Sequence, residues 1–405
     1  MDFHVIVIFG VVLLSALFIP FFEGLLKKQK YFWITVACIA AAFVLRGLML
    51  DYQSGDYNVF LTKWVDYFRT NGGFAGLKDS IGNYNIPYLY FLALFSYSGI
   101  RDLYLIKLLS IAFDVVLAFG MMKLAGVYTR SLPRRLAAYL ATLLLPTVIL
   151  NGAYWGQCDS IYASFAVLSL WLVLSGRPKS SMVCMALSFS FKLQAVFIMP
   201  LFLVMLFAGK IKFRHFFIFP LTYVLEILPA VLLGRPFKDA LLLYFNQAET
   251  VGSGLNYNSP SIFAFVNGEI NAAPVSVAGV AITFIFVFAI LFWALSKRRH
   301  LGNHALMGIA LLFVVGIPFL LPHMHDRYFF MADVLILLPA VLYTGFIPVA
   351  FFVSFASLLC YYSYLTQTYL MPLRYGALSL LGVLICLFIY TADKLNSRRY
   401  GREIK

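Results

Sequence analysis

Between His4 and Tyr390 this chain is a succession of apolar runs, many near the length of a bilayer crossing, separated by short loops that carry the basic residues. A crossing helix needs about 17 to 25 predominantly apolar residues, and its backbone must satisfy its own N–H and C=O groups because hydrocarbon offers no partner. With 62% hydrophobic residues, 12% charged residues and a mean hydropathy of +0.88 over 405 residues, the chain has more apolar surface than one soluble core can bury. It reads as an all-α polytopic membrane protein, a single integral membrane domain over residues 1–405.

The net charge of +14 raises the question of a nucleic-acid partner, and the positions of the charges answer it. About two thirds of the 31 Lys and Arg fall in loops such as Lys27–Lys30, Lys123–Arg135, Lys210–Arg214, Lys297–Arg299 and the tail after Lys394. Such loops are cytoplasmic by the positive-inside rule, so the excess charge reports topology and no nucleic acid is expected. The five cysteines have no CxxC spacing, which implies neither a metal site nor a disulfide framework. The first run lacks a basic n-region and a small-residue cleavage motif, so it reads as a retained span.

Requiring the basic loops to share one side gives about 13 crossings, with the N-terminus outside and the C-terminus inside. The first two spans, His4 to Phe22 and Tyr31 to Leu50, bring the chain to a first outer loop at 51–100. Within it Tyr57, Phe60, Leu61, Trp64 and Phe68 share a helical face, the pattern of an interfacial helix. Gly72-Gly73 ends that helix, and Ile86 to Phe95 is a second interfacial or re-entrant one. Had that run spanned, Arg130, Arg134 and Arg135 would lie outside. Later runs include Leu136 to Leu150, an outer loop Asn151 to Asp159, and the short pair Ser181–Phe191 and Ala195–Phe207 joined at Lys192. Residues 234–274 form the second large outer segment, with an Asn-rich loop between Asn246 and Asn271.

Polar residues beside hydrocarbon are costly and therefore informative. Here they gather on the outer side: Asp56, Gln157, Asp159, Lys192, Gln194, His323, His325, Asp326 and Arg327. Carboxylates with Lys, Arg and His suit a reaction in which a hydroxyl loses a proton and a phosphate departs. Each has a structural alternative. Asp56 opens a helical pattern and would serve as a cap, Lys192 would snorkel, and Asp326 would pair with Arg327. Trp64 and Trp155 suit an interface belt, while Asp114, Glu226 and Asp333 fall inside spans as helix-packing groups.

Five blocks then carry a resemblance: Gly55-Asp-Tyr-Asn-Val-Phe-Leu-Thr-Lys-Trp64, Tyr84-Asn-Ile-Pro-Tyr-Leu-Tyr90, Tyr154-Trp-Gly-Gln-Cys-Asp-Ser160, Ser190-Phe-Lys-Leu-Gln-Ala195 and His323-Met-His-Asp-Arg-Tyr-Phe329. Together and in this order they are similar to the GT-C superfamily of polytopic glycosyltransferases, and within it to bacterial relatives of glycosylphosphatidylinositol mannosyltransferase II. The resemblance implies a hexosyltransferase, mannosyltransferase-like, that moves one sugar from a polyprenyl-phosphate donor to an acceptor outside the membrane. The acid at the start of the first outer loop, Asp56 here, is then the base. Many such enzymes carry paired acids there; this chain has Tyr57 after Asp56 and only Asp51 nearby, so a divalent metal is not indicated. The family's second proline is also replaced, in Asn85-Ile-Pro87.

The expected mechanism is a single inverting displacement. Asp56 takes the acceptor proton, and Lys192, His325 and Arg327 hold the departing phosphate with help from His323. The absence of a Gly-rich phosphate motif agrees with a lipid-linked donor rather than a nucleotide sugar. Sugar and acceptor contacts are expected from Tyr57, Tyr154, Trp155, Gln157, Asp159, Gln194, Asn256 and Asn258, with Asp159 as the fallback base. The acceptor would be a glycan, glycolipid or protein at the outer face of the cell membrane. The competing class is a membrane transporter or lipid-linked sugar flippase. Against it, the charges lie on one side and the two halves show no matched broken helices.

Overall fold

The computed structural model describes residues 2–244, 254–266 and 272–397. Asn246, Asn267, Asn271 and the basic residues from Arg398 onward lie outside the described residues. In chain order the helices are α1 (Phe3–Phe22), α2 (Gln29–Leu48), α3 (Thr62–Thr70), α4 (Ile86–Phe95), α5 (Asp102–Tyr128), α6 (Leu132–Leu144), α7 (Pro146–Ile149), α8 (Asp159–Leu174) and α9 (Pro178–Phe191). They continue as α10 (Pro200–Phe207), α11 (Ile218–Leu232), α12 (Phe237–Leu241), α13 (Ala272–Ser296), α14 (Asn303–Leu320), α15 (Phe330–Leu335), α16 (Leu337–Leu342), α17 (Ile347–Thr366) and α18 (Arg374–Asn396). Among the described residues the β-structure is one parallel pair, β1 (Asn256–Tyr257) with β2 (Met324–His325), and an isolated antiparallel bridge between Asn258 and His325.

The chain is a nearly all-α, multi-pass membrane protein. Eight helical segments of the described residues are long and apolar enough to cross a bilayer, or nine if a bent pair counts as one span. That pair is α6 with the segment Pro146–Trp155, bent by 45°. The cause is local: Leu145 precedes Pro146, is pushed out of the helical region, and sits at φ −60°, ψ 121°. Other expected crossings are short helices, among them α8, the Leu193–Phe207 segment and the Phe330–Leu342 segment.

The chain divides into two compact units, one of Met1–Trp171, Lys179–Leu193 and Phe216–Thr250, the other of Leu172–Pro178, Gln194–His215 and Val251–Lys405. In the first unit, α1, α2, α5 and α6 pack through small and large apolar residues such as Ala16, Ala42, Phe43, Ile111, Ala118 and Leu143, small side chains letting the helices approach closely. A charge pair crosses this core. Arg46 on α2 donates from Nε to Asp114 Oδ2 on α5 at 2.9 Å, with Nη2 at ion-pair distance, 2.9 Å, from the same oxygen, and from Nη1 to the Ala42 and Leu143 carbonyls at 3.0 and 2.9 Å. Ser160 donates to the other carboxylate oxygen at 2.5 Å. Asp114 is thus a packing group, as expected, but its partner Arg46 escaped the sequence reading.

The first outer segment departs from its expected register. The helix from Gly55 contains a π turn at Tyr57–Leu61 before α3, so the buried face is Tyr57, Leu61, Val65 and Phe68. Phe60, expected on that face, is exposed, because the extra residue of a π turn rotates the residues next to it. Gly73 ends the stretch with φ 62°, and a Cβ there would collide with the Tyr97 ring, so only glycine fits. The expected outer loop Asn151 to Asp159 is likewise mostly helical: Leu150–Trp155 is a π turn, and only Gly156–Cys158 is loop.

Within the first unit α4 docks on α11 through Tyr90. Pro229 interrupts the α11 ladder, and the Tyr90 hydroxyl enters the gap, donating to the Glu226 carbonyl at 2.8 Å and accepting from the Ala230 N–H at 3.2 Å. Arg235 secures the same segment by donating to the Asp79 carbonyl at 3.3 Å and Ser80 Oγ at 3.2 Å. Replacing Tyr90 by Phe leaves two backbone groups without this partner and is expected to cost about 1–3 kcal/mol. The readout is a lowered melting temperature in detergent; an unchanged one would mean that the two groups re-pair with each other.

Candidate active site

Ser54 sets the geometry around Asp56. Its Oγ donates to the Trp155 carbonyl at 2.6 Å and accepts from the Tyr57 N–H at 3.2 Å, while its carbonyl accepts from the Asn58 N–H at 3.1 Å. Ser54 is therefore the helix cap, and it also stitches this segment to the turn after α7. Asp56 makes no capping bond. Its Oδ2 instead accepts from Trp155 Nε1 at 2.9 Å and from Gln157 Nε2 at 2.5 Å. Trp155 and Gln157 are buried, whereas Asp56 is partly exposed. Two buried donors thus orient a carboxylate that still reaches the surface.

The approach to Asp56 is held by a lysine. Lys107 on α5 is fully buried and donates to the carbonyls of Met49, Leu50 and Tyr52 at 2.8, 3.0 and 2.6 Å. Met49 and Leu50 directly follow α2 and Tyr52 begins the segment that leads to Asp56, and a cation at this helix end also complements the helix dipole. Tyr52 stacks on Tyr154 with centroids 3.8 Å apart and planes at 10°. Asp51 accepts from the Tyr104 hydroxyl at 2.6 Å. The nearest other acid in the sequence is thus engaged with α5.

Gln157 relays the site inward. Its Oε1 accepts from the Tyr84 hydroxyl at 2.9 Å, and its carbonyl accepts from Ser110 Oγ at 2.6 Å. The Lys192 ammonium lies 5.8 Å from the Tyr84 ring centroid and 2.5 Å from Asp159 Oδ1. Asn151 Nδ2 donates to the other Asp159 oxygen at 2.7 Å. Lys192 and Asp159 are 7% and 1% exposed at the side chain. Lys192 is therefore a paired, buried cation and does not snorkel. The fallback base Asp159 is tied into that pair.

The expected residues have different roles in the fold. Asp56, Tyr154, Trp155, Gln157, Asp159 and Lys192 are joined in the first unit by these bonds and the Tyr52 stack. Tyr57 belongs to the same unit but is buried, and that burial raises its phenol above the usual value, with Asp102 acting in the same direction. Trp64 packs edge-on against Tyr84, centroids 5.5 Å apart.

The remaining candidates lie in the second unit. There His323, at φ 63°, has Nδ1 2.7 Å from the Gly254 carbonyl and Nε2 2.7 Å from Ser276 Oγ. A carbonyl only accepts, so Nδ1 carries the proton, and the ring is a structural pin. Asn256 spends its amide on its own turn, donating to the Ser259 carbonyl at 2.9 Å and accepting from the Ser259 N–H at 2.8 Å. Asn258 Oδ1 accepts from the Tyr369 hydroxyl at 2.5 Å. His325 stacks on Tyr257, centroids 4.7 Å apart, and Arg327 lies 3.6 Å from Asp326. Gln194 Oε1 is buried without a hydrogen-bond partner among the described residues.

Ser54, Tyr84, Lys107 and Asn151 were not assigned site roles from sequence. Tyr84 opens one of the five blocks and Asn151 lies three residues before another, which was a usable signal; Lys107 lay inside an apolar span with none. Among the described residues no group of three or more His, Cys, Asp or Glu stands together as metal ligands. No family model matches this chain, and no curated protein matches it.

Lys192→Met strands the Asp159 carboxylate in a buried setting and is expected to destabilise the first unit by about 3–5 kcal/mol. Adding Asp159→Asn removes the orphaned charge and should recover most of the loss. A thermal unfolding series of the wild type, the single variant and the double variant checks this, and absence of recovery would contradict the pairing.

Proposed function

We propose that this protein is a membrane glycosyltransferase of the GT-C type, with about 13 transmembrane helices once its short and broken segments are counted. It transfers one sugar from a polyprenyl-phosphate donor to an acceptor hydroxyl at the extracytoplasmic face, with inversion. The observation that carries the reading is the Asp56 carboxylate, relieved of capping by Ser54 and aimed by Trp155 and Gln157. A base held in fixed orientation, rather than one engaged in closing a helix, is what general-base catalysis needs.

In this mechanism Asp56 accepts the hydroxyl proton as the acceptor oxygen attacks the anomeric carbon. The bond between that carbon and the phosphate oxygen breaks, and the phosphate leaves with the electron pair. Lys192 retains N–H donors beyond the one given to Asp159, and it supplies positive charge to the departing anion. Gln157, bonded to Asp56, and Tyr154, stacked on Tyr52, take the contacts to sugar or acceptor. For the second unit the assignment is separate: its turn presents an imidazole at His325 and a guanidinium at Arg327, groups suited to phosphate. His323 serves there by holding that turn in place.

Asp56→Asn keeps an oxygen that can accept from Trp155 and Gln157 and should leave the melting temperature near wild type. Transfer should fall by about 10² to 10⁴. The measurement uses purified protein with a labelled polyprenyl-phosphate sugar and acceptor glycans extracted from the cell envelope; wild-type turnover by the variant would sink the assignment. The same assay separates a flippase, which moves labelled lipid across vesicles without an acceptor. Comparing surface glycans of a deletion strain with wild type by mass spectrometry identifies the sugar and acceptor.

A further inference from the structure

The second unit carries an apolar groove of about 750 Å³ between α17 and α18. The two helices run antiparallel: Gly376 lies against Ala356, and Ser379 Oγ donates to the Phe352 carbonyl at 3.3 Å. One end of the groove is therefore formed by Met371 and Tyr375, and the other by Val349 and Cys386. From Tyr375 to Cys386 the helix rises about 16 Å. That is close to half of a hydrocarbon core about 30 Å thick, the depth of a single leaflet.

The Tyr375 end has the marks of a headgroup layer. Tyr369 and Tyr375 are exposed there, as aromatic residues are at a membrane interface. Arg374 is exposed beside them, its guanidinium 5.7 Å from the centroid of the Tyr375 ring that lines the groove. Below this cation the walls are Phe355, Phe352, Leu378 and Val383, with only Ser379 polar, and its hydroxyl is already bonded to backbone. Gly382 lines the groove, and a Cβ on it would meet nothing within 4 Å.

We propose that this groove is a binding site for one acyl chain of an anionic phospholipid, whose phosphate rests on Arg374. Its depth is that of a single-leaflet chain, and a long polyisoprenoid would outrun it. The cation at the mouth selects an anionic headgroup. The site is independent of the sugar-transfer reading, and its test involves no sugar.

The full-length protein, stripped of lipid in detergent, is titrated with phosphatidylglycerol and with phosphatidylcholine, following melting temperature and bound lipid by native mass spectrometry. Wild type should bind and be stabilised by phosphatidylglycerol in preference to phosphatidylcholine. Gly382→Trp fills the groove; because replacing a helical glycine favours the helix, the lipid-free protein should stay folded. It should lose the lipid adduct and the thermal shift. Arg374→Gln should keep chain binding while the preference for phosphatidylglycerol falls about five-fold. Equal affinity of wild type for both lipids, or binding of phosphatidylglycerol by Gly382→Trp at wild-type strength, would overturn the proposal. So would displacement of phosphatidylglycerol by a polyprenyl phosphate, or a dimer lost in Gly382→Trp, since either names a different occupant.

Discussion

The candidate site in the first unit hangs from one buried charge pair. Arg46 and Asp114 have no exposed side-chain surface, and in such a setting neither charge is tolerable without the other. Together with their remaining bonds they link four helices, α2, α5, α6 and α8. Arg46 holds the Leu143 carbonyl on α6 just before the bend that leads to Trp155, and Asp114 holds Ser160, the residue after Asp159. Ser110, one turn before Asp114 on α5, fixes the Gln157 carbonyl. The C-terminal ends of α2 and α6 and the start of α8 are thereby registered against the interior of α5, and the site residues grow from those three ends.

Above that clamp the polar groups form a connected series. Asp56 is bonded to Gln157, Gln157 to Tyr84, and the Tyr84 ring faces Lys192, which pairs with Asp159. A buried polar network is costly when partly satisfied and rigid when fully satisfied. The Asp159 end is the satisfied, buried part, with Asn151 and Lys192 on its two oxygens. The Asp56 end is the partly exposed part.

Much of this was legible in the amino-acid order because hydrocarbon imposes a one-dimensional rule. Runs of sufficient length are visible without knowing their neighbours, and α1, α2, α5, α13, α14, α17 and α18 overlap the runs so identified. The hinge at Ser54–Asp56 was equally visible as a polar interruption. What escaped were features set by a single backbone hydrogen bond. The π turns at Tyr57–Leu61 and Leu150–Trp155 moved Phe60 out of the buried face and drew Asn151 into it. Periodicity assumes 3.6 residues per turn and has no term for an inserted residue.

The sequence by itself determined that this chain lives in a membrane, that its short polar interruptions are where chemistry is to be sought, and that Asp56, Gln157, Asp159 and Lys192 are the residues to examine. Hydropathy and charge are properties of residues and survive without coordinates. The tertiary structure decided which polar groups do structural work. It made Ser54 the cap in place of Asp56, gave Asp114 to Arg46, gave Asp159 to Lys192, and spent the His323 ring on Gly254 and Ser276. A hydrogen bond or ion pair depends on where two side chains meet, and residues 46 and 114 are brought together only by the packing of α2 and α5 on α6.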